Sequence, residues 1–270
     1  MTGVQTCALP IFQLVSSGSE TSVIRFTVEG FYLNPVQTPQ GTEYVLEVPE
    51  SSRIQQAGAP DLSKLTTSVI IPDLGVMGTR ILSSNYVEYQ GIRIAPSKGI
   101  ITRDTDPATV PYTYGEVYQQ DRFYPALNTE LREPYIIRDF RGQTLVVYPF
   151  QYNPVSQTLR VYTELEVEVY PIGGNGLNPF IRQSPEIKIQ EEFGNVYKRH
   201  FLNYQPSDYT PLDDFGKMLV ICHPAFMSAM QPYVDWKNSI GIPTEMVSTA
   251  ATGTTAASIK NYIVNYYNSN

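Results

Sequence analysis

The sequence is poor in the residues on which many hydrolase and metal sites depend. It contains two histidines, His200 and His223, and two cysteines, Cys7 and Cys222, among 270 residues. No C-x-x-C pair and no His/Cys cluster occurs, so a zinc site built on these side chains is not expected. We expect no metal and no cofactor. A hydrolase that requires a histidine base would have only two candidates for it.

Positive charge and long apolar runs are also scarce. Lys and Arg number 19 against 26 Asp and Glu, which gives a formal net charge of −7. Nucleic-acid-binding surfaces are normally basic, so nucleic acid is not an expected partner. No apolar run approaches the roughly 18 residues of a membrane-spanning helix. The composition, 42% hydrophobic and 17% charged, is instead that of a folded chain without a membrane span.

From about residue 20 to 170 the sequence predicts short strands separated by turns. Apolar and polar residues alternate over residues 159–170, which indicates a half-buried strand. Residues 143–152 precede it through the loop NPVSQ, which predicts a hairpin. Further strands are predicted over 22–29, 43–48 and 67–72. The expected fold class is mostly β, with an antiparallel β-sandwich over 20–170.

Two segments are predicted to lie outside this sandwich. Residues 1–19 lack the basic region and the apolar stretch of a secretory signal, and we interpret them as a non-native or disordered tail. Residues 171–208 contain the turn-rich PIGGNGLNP and a polar stretch, which predict a linker with a little helix. His200 is expected to be exposed within this linker.

The pattern changes after the linker, over residues 209–270. A continuous apolar run at 217–222 predicts a strand buried on both faces. A helix over 227–239, a strand over 244–248 and a second helix capped by Thr254 or Thr255 follow. This order opens a parallel α/β sheet, and because two such strands leave the sheet uncovered, we expect a truncated segment.

Two groups of reactive side chains have ordinary structural interpretations. Cys222 and His223 are neighbours at a strand end, where side chains point to opposite faces, so they do not form a nucleophile and its base. Cys222 is expected to be a small buried residue. Taken alone, Arg103 in a turn-rich stretch is a solvated charge.

Three stretches of the chain carry a family resemblance. They are IAPSKGIITRDTDPATVPYTYGEVYQQDRFYP (94–125), RDFRGQTLVVYPFQYNPVSQTLRVYTELEVEV (138–169) and YKRHFLNYQPSDYTPLDDFGKMLVI (197–221). These stretches resemble the precursors of the gingipains, which are secreted cysteine peptidases of Bacteroidetes. VDWKN (234–238) follows in the gingipain order. The resemblance implies a β-sandwich prodomain up to about Asp208, followed by the first strands and helices of a caspase-like catalytic domain.

The resemblance also implies roles for individual residues. In such precursors the prodomain assists folding of the catalytic domain and occupies its active-site cleft, so the implied partner is the chain's own catalytic domain, in cis. Arg103 in GIITRDTDP matches the basic residue that arginine-specific members present to the specificity pocket, which makes it a pseudo-substrate and an internal cleavage point. The implied maturation junction lies between Asp208 and Tyr209, where arginine-specific members have Arg before YTP. The family's catalytic His and Cys lie beyond position 270, so no catalytic residue is expected here.

Two hypotheses follow. The first is the N-terminal part of a gingipain-like cysteine endopeptidase zymogen, which the resemblance places in the medium or on the cell surface. The second is a β-sandwich binding or adhesion module that contacts glycan or protein through its abundant tyrosines, 20 in number. The YTP boundary and VDWKN favour the first, because an unrelated module need not be followed by them.

Overall fold

The computed structural model describes residues 10–182, 187–212 and 216–269. They belong to two compact units. The larger unit comprises the chain up to Ile187 together with Glu192–Tyr209. The smaller unit comprises Lys188–Glu191 and the residues from Thr210 onward.

Antiparallel strands form the larger unit. They are β1 (Ile11–Ser17), β2 (Ser22–Thr27), β3 (Tyr32–Thr38), β4 (Gly41–Glu47), β5 (Ser52–Arg53), β6 (Ser63–Ile70), β7 (Val76–Gln90), β8 (Thr129–Leu131), β9 (Tyr135–Ile137), β10 (Phe140–Val147), β11 (Phe150–Asn153) and β12 (Thr158–Gly173). One sheet has the order β1-β2-β12-β11, with β7 also paired to β12. The other five-stranded sheet has the order β5-β6-β10-β8, with β9 also paired to β10, whereas β3 and β4 pair with each other outside both. Both sheets contribute to one apolar core, which confirms the predicted antiparallel β-sandwich.

Strand β12 is the centre of the first sheet. It pairs with β7 along its whole length and with β2 and β11. Its apolar face is buried at 0–3% exposure and consists of Leu159, Val161, Leu165, Val167 and Val169. The alternation therefore predicted the buried face correctly, and the pairing of β11 with β12 confirms the predicted hairpin.

The strand predicted over 143–152 is two strands in different sheets. β10 ends at Val147 and pairs with β6, whereas β11 begins at Phe150 and pairs with β12. Between them, the amide of Tyr148 donates to the carbonyl of Asn128 at 2.7 Å. Pro149 has no N–H to donate to a ladder, so the chain leaves one sheet there and enters the other.

The N-terminal tail is part of the sandwich from residue 11. β1 pairs with β2, and the ring centroids of Phe12 and Phe26 lie 5.2 Å apart. Phe12 and Leu14 both pack against the core. The prediction of a tail over 1–19 is therefore wrong for the strand, because alternate apolar side chains of this segment cover the edge of the core. Residues 1–9 lie outside the described residues.

The segment predicted as a linker also packs on the sandwich. After β13 (Lys188–Ile189), helix α1 (Glu191–His200) buries Tyr197 completely. The chain then runs beside β6, where the amide of Leu202 donates to the carbonyl of Ser68 at 2.9 Å. The amide of Ile70 donates to Asn203 Oδ1 at 2.7 Å. The segment therefore contains the little helix that was predicted, but it packs on the sandwich rather than serving only as a linker.

A glycine on β10 makes room for this packing. A Cβ atom at Gly142 would lie 2.4 Å from Cε1 of Phe201. Phe201 is 2% exposed, so its ring occupies the space that any other side chain would fill. The fit depends on Gly142 and Phe201, which are distant in sequence. The local pattern of residues 171–208 therefore does not reveal it.

The smaller unit shows the predicted α/β order. β13 is parallel to β14 (Thr210–Pro211), and β15 (Met218–Cys222) is parallel to β16 (Thr244–Ser248). The helices are α2 (Met227–Ser239), α3 (Thr249–Thr252) and α4 (Ala256–Ser269). The hydroxyl of Thr255 accepts a hydrogen bond from the amide of Ser258 at 3.1 Å, as expected of an N-cap. Within the described ranges, no helix is both long enough and apolar enough to cross a membrane.

Candidate functional site

The loop that carries Arg103 leaves the sandwich from a buried segment. Ile94 and Ala95 are completely buried, and the amide of Ala95 donates to the carbonyl of Tyr44 at 2.8 Å. The amide of Ser97 donates to the carbonyl of Ala59 at 2.7 Å. Backbone hydrogen bonds to β4 and to the connection between β5 and β6 therefore fix the start of the Arg103 loop, which we define as residues 98–114.

Arg103 lies at an exposed turn of this loop. The amide of Thr105 donates to the carbonyl of Thr102 at 3.1 Å, which closes a turn with Arg103 and Asp104 at its centre. The Thr102 hydroxyl donates to the Asp104 carboxylate, and this hydrogen bond lowers the pKa of Asp104. Among the described residues, none accepts a hydrogen bond from the Arg103 guanidinium, and none forms an ion pair with it. Arg103 is exposed to solvent.

The second half of the loop is tied back to the first. The Asp106 carboxylate accepts a hydrogen bond from the amide of Ala108 at 2.9 Å. Lys98 Nζ donates to the carbonyl of Pro107 at 2.8 Å and lies 4.5 Å from the ring centroid of Tyr112. The lysine thus connects the two branches of the loop.

Tyrosines hold the end of the loop against β4. The Tyr114 hydroxyl donates to the buried Glu43 carboxylate at 2.6 Å, and Arg93 donates to the same carboxylate at 3.2 Å. The Tyr114 and Tyr118 rings meet edge to face at 4.9 Å, and the Tyr118 hydroxyl donates to the carbonyl of Ile94 at 2.7 Å. Both ends of the Arg103 loop are therefore anchored, which limits the conformational entropy that docking of the loop would cost.

The stability of the sandwich should fall at alkaline pH because of two tyrosine–carboxylate hydrogen bonds. Burial, together with a bond to Glu43 or Glu130, raises the pKa of Tyr114 and of Tyr148 from 10.0 to about 12. The neutral phenols are thus favoured in the folded state, and their contribution is complete below pH 10. Above that, the unfolded chain loses the protons first, so the free energy of unfolding decreases as the pH rises toward about 12.

Urea unfolding between about pH 9 and about pH 12 would measure this effect. The double variant Tyr114→Phe/Tyr148→Phe should show a smaller decrease than the wild type. Tyr162→Phe, which removes a hydroxyl bonded to the neutral side chain of Gln151, is the matched control. An equal decrease in the double variant and the wild type would contradict the assignment.

The predicted maturation junction follows one turn of 3-10 helix at Pro206–Asp208. Asp208 is exposed, whereas the ring of Tyr209 packs against two other aromatic rings. Burial raises the pKa of Tyr209, and Asp208 and Tyr204 add to this effect. Asp208 and Tyr209 are adjacent and lie at the end of the larger unit. The sequence did not single out the residues that contact Tyr209, although FLNYQPSDY places aromatic residues at close intervals.

Cys222 and His223 are not arranged as a catalytic pair. Cys222 is 8% exposed at the end of β15. His223 is exposed, and its Nδ1 accepts a hydrogen bond from the amide of Ala225 at 3.2 Å, which caps the next turn. Across the part of the chain that the structure describes, no group of three His, Cys, Asp or Glu side chains is placed to hold a metal ion.

Comparison with known families gives a direct match over nearly the whole chain. Residues 8–209 match the family Propeptide_C25, and residues 212–270 match Peptidase family C25. The chain belongs to the C25 propeptide family. The resemblance to gingipain precursors that the sequence motifs indicated is thereby confirmed.

Two similar proteins come from Porphyromonas gingivalis. This C25 chain is 35% identical to gingipain R1 of Porphyromonas gingivalis over 258 residues, which is 94% of the chain and 26% of that relative. It is 34% identical to gingipain R2 of the same species over 264 residues, 96% of the chain and 35% of the relative. The chain thus spans about a quarter to a third of the length of these relatives.

A solved structure described as the complex of Porphyromonas gingivalis RgpB pro- and mature domains is also similar. The match has 35% sequence identity and a TM-score of 0.66, and it covers 72% of this C25 chain and 98% of that chain. The antiparallel sandwich of the larger unit is therefore a gingipain prodomain fold, and residues 212–270, which lie in the smaller unit, are the start of a C25 domain.

Proposed function

We propose that the larger unit is the inhibitory prodomain of a secreted or cell-surface C25 cysteine endopeptidase, and that its partner is the catalytic domain of the same chain. The prodomain would extend over 11–208, because β1 belongs to the sandwich, with residues 171–208 as its C-terminal tail and residues 209–270 as the start of the catalytic domain. In this proposal the prodomain assists folding of the catalytic domain and keeps it inactive until the chain is cut.

The observation that carries the proposal is the exposed guanidinium of Arg103 on an anchored loop. A guanidinium offers a rigid fork of N–H donors to a carboxylate in a specificity pocket, and this arrangement gives charge-assisted, bidentate hydrogen bonds. Since no described residue pairs with Arg103, the side chain can enter such a pocket without first breaking an ion pair. Arg103 would thus act as a pseudo-substrate and, once the turn opens, as an internal cleavage point.

A free-standing adhesion module is the disfavoured alternative. The match to the prodomain family is followed in the same chain by the match to the peptidase family, at 8–209 and 212–270. An adhesion module would account for the surface tyrosines but not for this order.

Inhibition of an arginine-directed C25 peptidase by the whole chain tests the proposal. Titration of the active enzyme with the chain should give an inhibition constant of about 1 µM or below, as for a specific protein complex. A lysine-directed C25 peptidase is the control for the Arg103 contact and should be inhibited more weakly. Full peptidase activity at chain concentrations far above that value would overturn the proposal.

A further inference from the structure

The aromatic ring that begins the YTP sequence is part of the larger unit. The Tyr209 ring is stacked on Tyr204, with 5.4 Å between centroids and 7° between planes. It also meets the Phe140 ring at 5.0 Å and 65°. Such stacked and edge-to-face pairs stabilise a contact beyond the burial of apolar area. The residue expected to become the N-terminus of the mature enzyme is therefore held by the prodomain.

The rings that hold Tyr209 are themselves fixed. Phe140 is 1% exposed and Tyr204 is 6% exposed. Both contact Tyr197, which is completely buried and whose hydroxyl donates to the Asp139 carboxylate at 2.6 Å. Phe140 and Tyr204 thus form a rigid aromatic platform, which cannot follow Tyr209 if the chain moves away.

The backbone before Tyr209 is folded rather than extended. The amide of Asp208 donates to the carbonyl of Gln205 at 3.1 Å, and the amide of Tyr209 donates to the carbonyl of Pro206 at 3.3 Å. The nitrogen of the junction bond is therefore engaged within a turn. A peptidase that reads side chains on both sides of this bond needs the turn opened and Tyr209 withdrawn from its platform.

We propose that the platform of Phe140 and Tyr204 is a latch that protects the peptide bond between Asp208 and Tyr209 from hydrolysis. This inference rests on the proposed maturation junction. Hydrolysis adds one water molecule across that bond, which leaves a carboxyl group on Asp208 and a free α-amino group on Tyr209. The latch slows this step because the bond reaches a peptidase only in the fraction of molecules in which Tyr209 has left the platform.

The latch can be tested by digesting the whole chain with trypsin. The chain carries Asp208→Arg, which places a residue that trypsin cuts after at the exposed position before the junction. In this background, Tyr209→Leu removes the ring and Tyr209→Phe keeps it. The initial rate at which the new N-terminus at residue 209 forms, followed by mass spectrometry, should rise about tenfold or more with Leu and stay nearly constant with Phe.

Two controls separate the latch from simpler effects. Each rate is divided by that of a synthetic peptide with the same junction sequence, which removes any preference of trypsin for the residue after the cut. Cleavage after Arg103, in the exposed turn, should be equal in all variants.

Tyr204→Ala, which removes half of the platform, should accelerate the junction cut in the same way.

Equal normalised rates for the Leu and Phe variants would overturn the latch. This result does not depend on inhibition, because trypsin is the probe. A chain that fails to inhibit an arginine-directed C25 peptidase yet shows a faster junction cut with Leu would reject the proposed function and keep the latch.

Discussion

Replacement of Arg103 by Ala is expected to weaken inhibition of an arginine-directed C25 peptidase by about 30- to 1000-fold, the range of a dominant interface residue. The reason is that a pocket carboxylate buried by the docked loop would lose its guanidinium partner, and an unpaired buried charge is costly. Because Arg103 is exposed and unpaired within the described residues, its loss should leave the fold unchanged.

The inhibition constants of Arg103→Ala and Arg103→Lys, with Arg122→Ala as a control, would measure this effect. Lys keeps the charge but not the planar fork, so an intermediate constant is expected. Arg122 is an exposed arginine outside the loop, and its removal should change little. If Arg103→Ala inhibits as well as the wild type, Arg103 is not the anchor.

Replacement of Arg141 by Ala is expected to lower the free energy of unfolding of the sandwich by about 3–5 kcal/mol. Arg141 is 1% exposed and donates to the carbonyls of Pro72, Gly75 and Leu177 at 2.7–3.0 Å. Its burial lowers the pKa of the guanidinium, and Asp73 partly opposes this shift. Without the arginine, three carbonyls lose their donor and a cavity remains between the turn before β7 and the segment after β12.

Urea unfolding followed by circular dichroism would measure the loss. Arg80→Ala is the matched control, since that arginine is 60% exposed and pairs with Glu168 at the surface. A change of about 1 kcal/mol or less is expected there. Arg141→Lys should lie between wild type and Ala. Equal destabilisation by Arg141→Ala and Arg80→Ala would show that the three carbonyl contacts contribute little.

Local sequence patterns predicted the parts of the fold in which the structure of a segment follows from the residues of that segment alone. The alternation at Leu159 and Val161 identified a buried face, and the run at 217–222 identified a strand of a parallel pair. That strand was expected to be buried on both faces, but only Cys222 in it is buried and the rest is half-buried. The YTP and TRDTDP sequences identified the two candidate sites by resemblance. In each case, the signal lies within about twelve consecutive residues.

Features that depend on distant partners were not predictable in this way. The packing of Phe201 depends on the absence of a side chain at Gly142, and the position of Tyr209 depends on Phe140. Likewise, Phe12 packs against Phe26, its partner across the strand pair. Periodicity carries no information about such pairs, and so residues 11–17 were assigned to a tail and residues 171–208 to a linker.

The central position of β12 has a consequence for the rate at which the prodomain folds. β12 is the last strand of the sandwich in chain order, yet it pairs with β2, and the ion pair between Arg25 and Glu166 joins residues 141 positions apart. Closing such a large loop costs entropy before any strand pairing offsets it, and sheets with high contact order fold in milliseconds to seconds. During synthesis, β2 must remain without its pairing partner in β12 until residues 164–169 have been made.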